Sequence, residues 1–181
     1  MENIEFVRRN DGAEGVRTAF VFSCPGQEEE KSGLLVNGQT GRNLDMLLHF
    51  LHQKRPDLFP SEDRYYYRIT NSSERIHYKA RDGRTEPSSA EIKAPDNLER
   101  LTGDIKDYDV VITFGRGATE AVSLIADKLD NKKILHSRHL SFLSLNSGVK
   151  NDINGEPIPR GDPDSTKKRL EAVAADIISQ I

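Results

Sequence analysis

Short apolar runs alternate with amphipathic stretches along the chain, and this pattern predicts an α/β order of elements. Residues 16–23 (VRTAFVFS) are β-rich and read as a buried first strand. Residues 42–53 place Leu44, Leu47, Leu48 and Leu51 at helical spacing and stop short of Pro56. Residues 65–70 are aromatic and β-branched, the composition of a second strand. Residues 72–90 are polar and contain Asp82-Gly83, a turn signal, so an excursion or hairpin is expected there, with a helix over 90–103. Val110–Phe114 (VVITF) is a run typical of a strand covered on both faces. A helix over 115–129 and a fourth strand over 132–136 follow, then a loop-rich stretch over 146–163. Asp164 is placed to cap a last amphipathic helix over 165–180, with Leu170, Val173, Ile177 and Ile178 turned inward.

Strands separated by helices predict a three-layer α/β/α sandwich around a central four-stranded parallel sheet, as one domain spanning residues 1–181. Sites in such sheets gather at the carboxyl ends of the strands. Three segments fall there: the polar loop 23–41 with Gly33, Gly38 and Gly41, Asn71 after the second strand, and 136–146 after the fourth.

Composition narrows the setting. A length of 181 residues suits one core, and 30% charged with 35% hydrophobic residues is the balance of a soluble protein. No apolar run reaches membrane-spanning length, and the opening MENIEFVRRNDG lacks the apolar core of a signal peptide. Cys24 is the single cysteine, which excludes an internal disulfide and an all-cysteine metal or cluster site within one chain. A cytoplasmic monomer that binds no membrane is the expectation. The net charge of −3 gives no overall pull toward nucleic acid, so DNA binding needs a local basic face. Arg64 with Arg68, the stretch 75–84, and Arg138 with Lys132 and Lys133 are the candidates.

The motifs are ordered. Pro25-Gly26, Glu29-Glu30, Gly33, Gly38 and Gly41 follow the first strand, Ile69-Thr70-Asn71 ends the second, Phe114-Gly115 ends the third, and His139-Leu140-Ser141 follows the fourth. In this spacing the chain resembles the uracil-DNA glycosylase superfamily, and most closely its bacterial and archaeal iron–sulfur class. The resemblance spans about residues 16 to 180. It departs at several points. The four cluster-binding cysteines of that class are absent, so no cofactor or metal is expected. Ser23 stands where the first motif carries an acid, Val36 where an aromatic stacks on the base, and Leu140 where the last motif has proline.

What the resemblance implies is a monofunctional DNA glycosylase acting on duplex or single-stranded DNA. It would flip uracil or another modified base from the stack and hydrolyse its bond to the sugar. Repair by base excision and defence against modified phage DNA are both open. Asn71 offers an amide donor and acceptor to read the base edge. His139 stabilises the departing base, with His136 as its rival. Gln27 positions water, or Glu29 or Glu30 acts electrostatically or caps the loop. Pro25, Gly26, Val36 and Phe114 complete the base pocket, and the tyrosines at 65–67 are further candidates for a stacking ring. Ser141, Phe142 and Leu143, with Arg138, contact DNA, with Phe142 or Leu143 as an apolar wedge or simply as core. The competing reading is a catalytically inactive nucleic-acid- or nucleotide-binding protein on the same fold.

Overall fold

A computed structural model describes residues 6–181, so the signal-peptide reading lies partly outside the described residues. Four parallel strands, β1 (Thr18–Phe22), β2 (Arg68–Asn71), β3 (Val110–Phe114) and β4 (Lys133–Ser137), form one sheet in the order β2-β1-β3-β4. Ala19 pairs with Arg68 on one side and with Val111 on the other, which puts β1 in the interior of the sheet. The chain leaves β1 for β2 on one side and later returns to β3 on the other, so strand order reverses between β1 and β3. Such a switch point opens a crevice at the carboxyl ends of the two strands.

Strand alternation divides the core between the two faces. Phe20, Phe22, Ile112 and Phe114 pack with Leu44, Leu47, Leu48 and Leu51 of α2 (Gln39–Lys54) and with Leu170, Val173 and Ile177 of α8 (Ser165–Ser179). Ala19, Val21 and Val111 pack with Leu101 and Ile105 of α5 (Pro95–Ile105) and with Ala118, Ala121 and Val122 of α6 (Arg116–Ser123). The three-layer α/β/α sandwich expected from the pattern is the architecture. Among the described residues, no helix is long and apolar enough to cross a membrane.

Several boundaries differ from the sequence reading, each for a local reason. The loop after β1 contains a six-residue helix, α1 (Gln27–Ser32), with an acidic first turn at Glu28, Glu29 and Glu30. Residues 64–66 form a 3₁₀ turn rather than strand, because the Asp63 carboxylate accepts from the Tyr65 amide and caps it. The excursion after β2 is no hairpin; it holds α3 (Lys79–Asp82) and α4 (Ser89–Lys93). Pro95 breaks the helix expected over 90–103: Ala94 before it is extended, and Pro95 opens α5 at a position where its missing amide is harmless. The helix after β3 ends at Ser123 and gives way to a 3₁₀ turn at Ala126–Lys128. Residues 142–148 are helical, α7 (Phe142–Gly148), where loop was expected from 146. Asp164 precedes α8 without a side-chain capping bond, and Asp162 takes the local role by accepting from the Asp164 amide and from Lys168 at 2.6 Å.

Candidate functional site

The carboxyl ends of β1 and β2, the loop after β4 and the 77–85 excursion enclose a cavity of about 270 Å³. Asn71, His139, Gly26, Glu29 and Val36 all line it, together with Phe22, Thr40, His77 and Tyr78. Cys24, Thr85 and His139 also line a larger open cleft of about 1100 Å³, which runs past Ser23, Glu86, Gly117 and Ser141 to Leu143. The small cavity and the cleft therefore share a wall.

Asn71 ends β2. Its carbonyl accepts from Arg100 at 2.8 Å, and Arg100 is held in turn by Asp104 and Thr70. Only 4% of the residue is exposed, yet its side-chain amide makes no hydrogen bond among the described residues. Buried amides are normally paired. An unpaired amide facing a cavity leaves a donor and an acceptor available side by side.

His139 is tied down from one side. The Ser141 amide donates to its Nδ1 at 3.1 Å, so Nδ1 is an acceptor and the neutral ring carries its proton on Nε2. Burial lowers the His139 pKa below the ordinary histidine value, against a weaker opposing pull from Glu86. The ring is thus a neutral Nε2–H donor near pH 7. His136 is not its equal: its Nδ1 meets Thr113 Oγ1 at 2.8 Å, and the residue lines a separate cavity with Arg138 and Lys150.

The loop after β1 is shaped by a close approach. A Cβ on Gly41 would lie 1.7 Å from the Val36 carbonyl oxygen, so only glycine fits where α2 passes beneath the loop. Val36 itself has φ of 46°, a strained value for a β-branched residue, and it is buried against the cavity. The Gly26 amide donates to the Glu29 carboxylate at 3.1 Å, which places Glu29 at the cavity wall as a cap of α1. Gln27 is exposed on the first turn of α1 and lines neither cavity. Pro25 is buried beneath the cavity, its carbonyl accepting from the His77 amide at 3.0 Å.

The aromatic lining also differs from the sequence reading. Phe114 is fully buried and lies under the site, stacked on Phe22 with ring centroids 4.7 Å apart. Phe22 and Tyr78 are the rings that reach the cavity, whereas Tyr65, Tyr66 and Tyr67 pack with the core. Phe22 was hidden in the sequence because it stands at the end of an apolar strand and reads as core. His77 was missed as well; its ring nitrogens meet Asp82 at 2.5 Å and Glu91 at 3.0 Å and hold the excursion against the site. Tyr78 is held by Glu30, its hydroxyl donating at 2.5 Å.

Phe142 and Leu143 are not core. They form the first turn of α7, 45% and 82% exposed, with Ser141 as the N-cap accepting from the Ser144 amide. Leu143 stands at the rim of the cleft. Arg138 is turned inward: its guanidinium donates to the Ser144 carbonyl and lies so close to Gly148 that a Cβ there would overlap it. Four of the other basic candidates are ion-paired. Arg64 pairs with Asp45, Arg68 with Asp11, Arg81 with Glu30, and Arg84 with Asp82 and Glu91. Arg116 lines the cleft together with Glu86 and Glu120.

Cys24 donates its thiol to the Thr85 carbonyl at 3.6 Å, and burial pushes its pKa up to about 12, which removes it as a nucleophile near neutral pH. No lysine lines the cavity or the cleft. Among the described residues, no group of three or more His, Cys, Asp or Glu is placed to hold a metal ion. No protein-family model and no curated protein matches the chain.

Proposed function

We infer that the protein is a monofunctional DNA glycosylase of the uracil-DNA glycosylase type, acting on a base flipped into the Phe22–Asn71–His139 cavity. The observation that carries this reading is the Asn71 amide, unpaired on a residue only 4% exposed, in the same small cavity as an Nε2–H donor from His139. A cavity of about 270 Å³ is near the lower end of small-molecule sites, about 300 Å³, and suits one flat ring. Asn71 would read the amide or imide edge of that ring. His139 would donate to the base oxygen on which negative charge grows as the glycosidic bond breaks. Because the neutral ring already carries its proton on Nε2, it stabilises that charge as a hydrogen-bond donor without first having to gain a proton. Leu143 and Phe142, exposed beside the cleft, would fill the gap left in the stack.

The competing reading is a nucleotide- or nucleic-acid-binding protein without catalysis. The ion-paired Arg64, Arg68, Arg81 and Arg84 favour its nucleotide-binding form, because paired cations are less available to follow a phosphate backbone. Purified protein incubated with duplexes and single strands carrying uracil, deaminated purines or bulky modified pyrimidines separates the two. Alkali-labile sites on one substrate, formed more slowly by His139→Ala and Asn71→Ala, support the glycosylase. Binding without base release from any of them supports the alternative.

A further inference from the structure

Ser23 occupies the position where an acid would sit, but its hydroxyl is not alone: it donates to the carboxylate of Glu86, 63 residues further along the chain. Three contacts fix that meeting. Ser72 Oγ donates to the Ser23 carbonyl at 2.5 Å, and the Cys24 thiol donates to the carbonyl of Thr85, next to Glu86. Gly117, in the first turn of α6, closes over the pair; a Cβ there would lie 2.7 Å from Ser23 Oγ and 3.4 Å from Glu86 Oε2. Only Oε2 of Glu86 receives the serine proton. Oε1 makes no hydrogen bond among the described residues, and the residue lines the cleft beside His139 at the wall shared with the small cavity. Glu86 thus lies on the cleft side of that wall, and Asn71 on the side of the small cavity.

Resting on the glycosylase reading, we propose that Glu86 is the catalytic carboxylate of the site. It holds the attacking water and faces the sugar carbon, C1′. The water oxygen bonds to C1′ while one of its protons passes to Glu86 Oε1. The C1′–N bond breaks, and its electron pair leaves with the base, whose oxygen accepts from His139 Nε2–H. The proton on Glu86 then returns to the base through solvent, so sugar hydroxyl and neutral base are the products. The negative carboxylate also stabilises positive charge on the sugar as the bond opens. Ser23 orients Glu86 through Oε2 and leaves Oε1 for water.

The test uses two duplexes with a stable abasic analogue at the flipped position, a cationic pyrrolidine or a neutral tetrahydrofuran. Wild-type protein is expected to bind the pyrrolidine duplex at least about tenfold more tightly, and Glu86→Gln to lose that preference while keeping its affinity for the tetrahydrofuran duplex. Base release by Glu86→Gln is expected to fall about a hundredfold or more, as for loss of a general base. Glu86→Gln with base release within about threefold of wild type, or with the preference intact, overturns the assignment. So does wild-type protein that releases base without preferring the cation. Wild-type protein that releases no base, yet prefers the cation in a Glu86-dependent way, overturns the glycosylase reading and leaves Glu86 as the sugar-facing charge. Failure to bind either duplex overturns both.

Discussion

Replacing Asn71 with alanine separates a working amide from a structural one. Two neutral hydrogen bonds to a base edge are each worth about 0.5–1.5 kcal/mol, so their loss removes roughly 1–3 kcal/mol of transition-state binding. At about 1.4 kcal/mol per tenfold, base release measured as kcat/KM falls roughly 5- to 150-fold. Stability moves differently. The amide makes no hydrogen bond in the folded protein, so its removal orphans no partner. The carboxamide removed faces an existing cavity, so no new closed void forms. Asn71→Ala is therefore expected to stay within about 1 kcal/mol of wild-type stability. Urea unfolding followed by circular dichroism gives the stability, and alkali cleavage of the fastest-released substrate gives the rate. Destabilisation of about 2 kcal/mol or more, with base release per folded molecule unchanged, would make Asn71 a cap of the β2 end and refute the reasoning.

Three further outcomes follow from the same geometry. Asp104 is 2% exposed and accepts from Arg9, Arg100 and Thr70, so Asp104→Ala should cost about 3 kcal/mol by leaving Arg100 without its carboxylate, seen as a lower urea midpoint. His139 binds a proton less readily when folded than unfolded; stability present above about pH 6.5 should decline as pH falls through its lowered pKa, and His139→Gln should flatten that slope in urea titrations from about pH 8 to pH 5. Leu143→Ser, at a site 82% exposed, should change stability by less than about 0.5 kcal/mol. If Leu143 is the wedge, the same variant loses fluorescence of a 2-aminopurine placed opposite the flipped nucleotide; an unchanged signal removes it from that role.

The layer architecture was legible in the sequence because it depends on local period. The short, β-branched run VVITF forms a covered strand, and Leu44, Leu47, Leu48 and Leu51 at helical spacing face inward on one side of a helix, as their periods indicate. That Asn71 and His139 would meet was legible for a related reason: Asn71 is the last residue of β2 and His139 lies two residues past β4, and the carboxyl ends of parallel strands converge. Tertiary structure decided the rest. Strand order β2-β1-β3-β4 brings residues 22, 71 and 139 to one cavity, an outcome of long-range pairing that no periodicity encodes. Phe22 rather than Phe114 lines that cavity because the two rings stack and only the outer one reaches it. Arg138 and its fellow arginines look like a DNA-binding face in the sequence, where their carboxylate and carbonyl partners are distant or unmarked. Glu86 lies in a polar excursion with no pattern of its own. It reaches Ser23 through side-chain bonds and a glycine contact spanning the fold, and contacts between distant segments exist only once the chain has closed on itself.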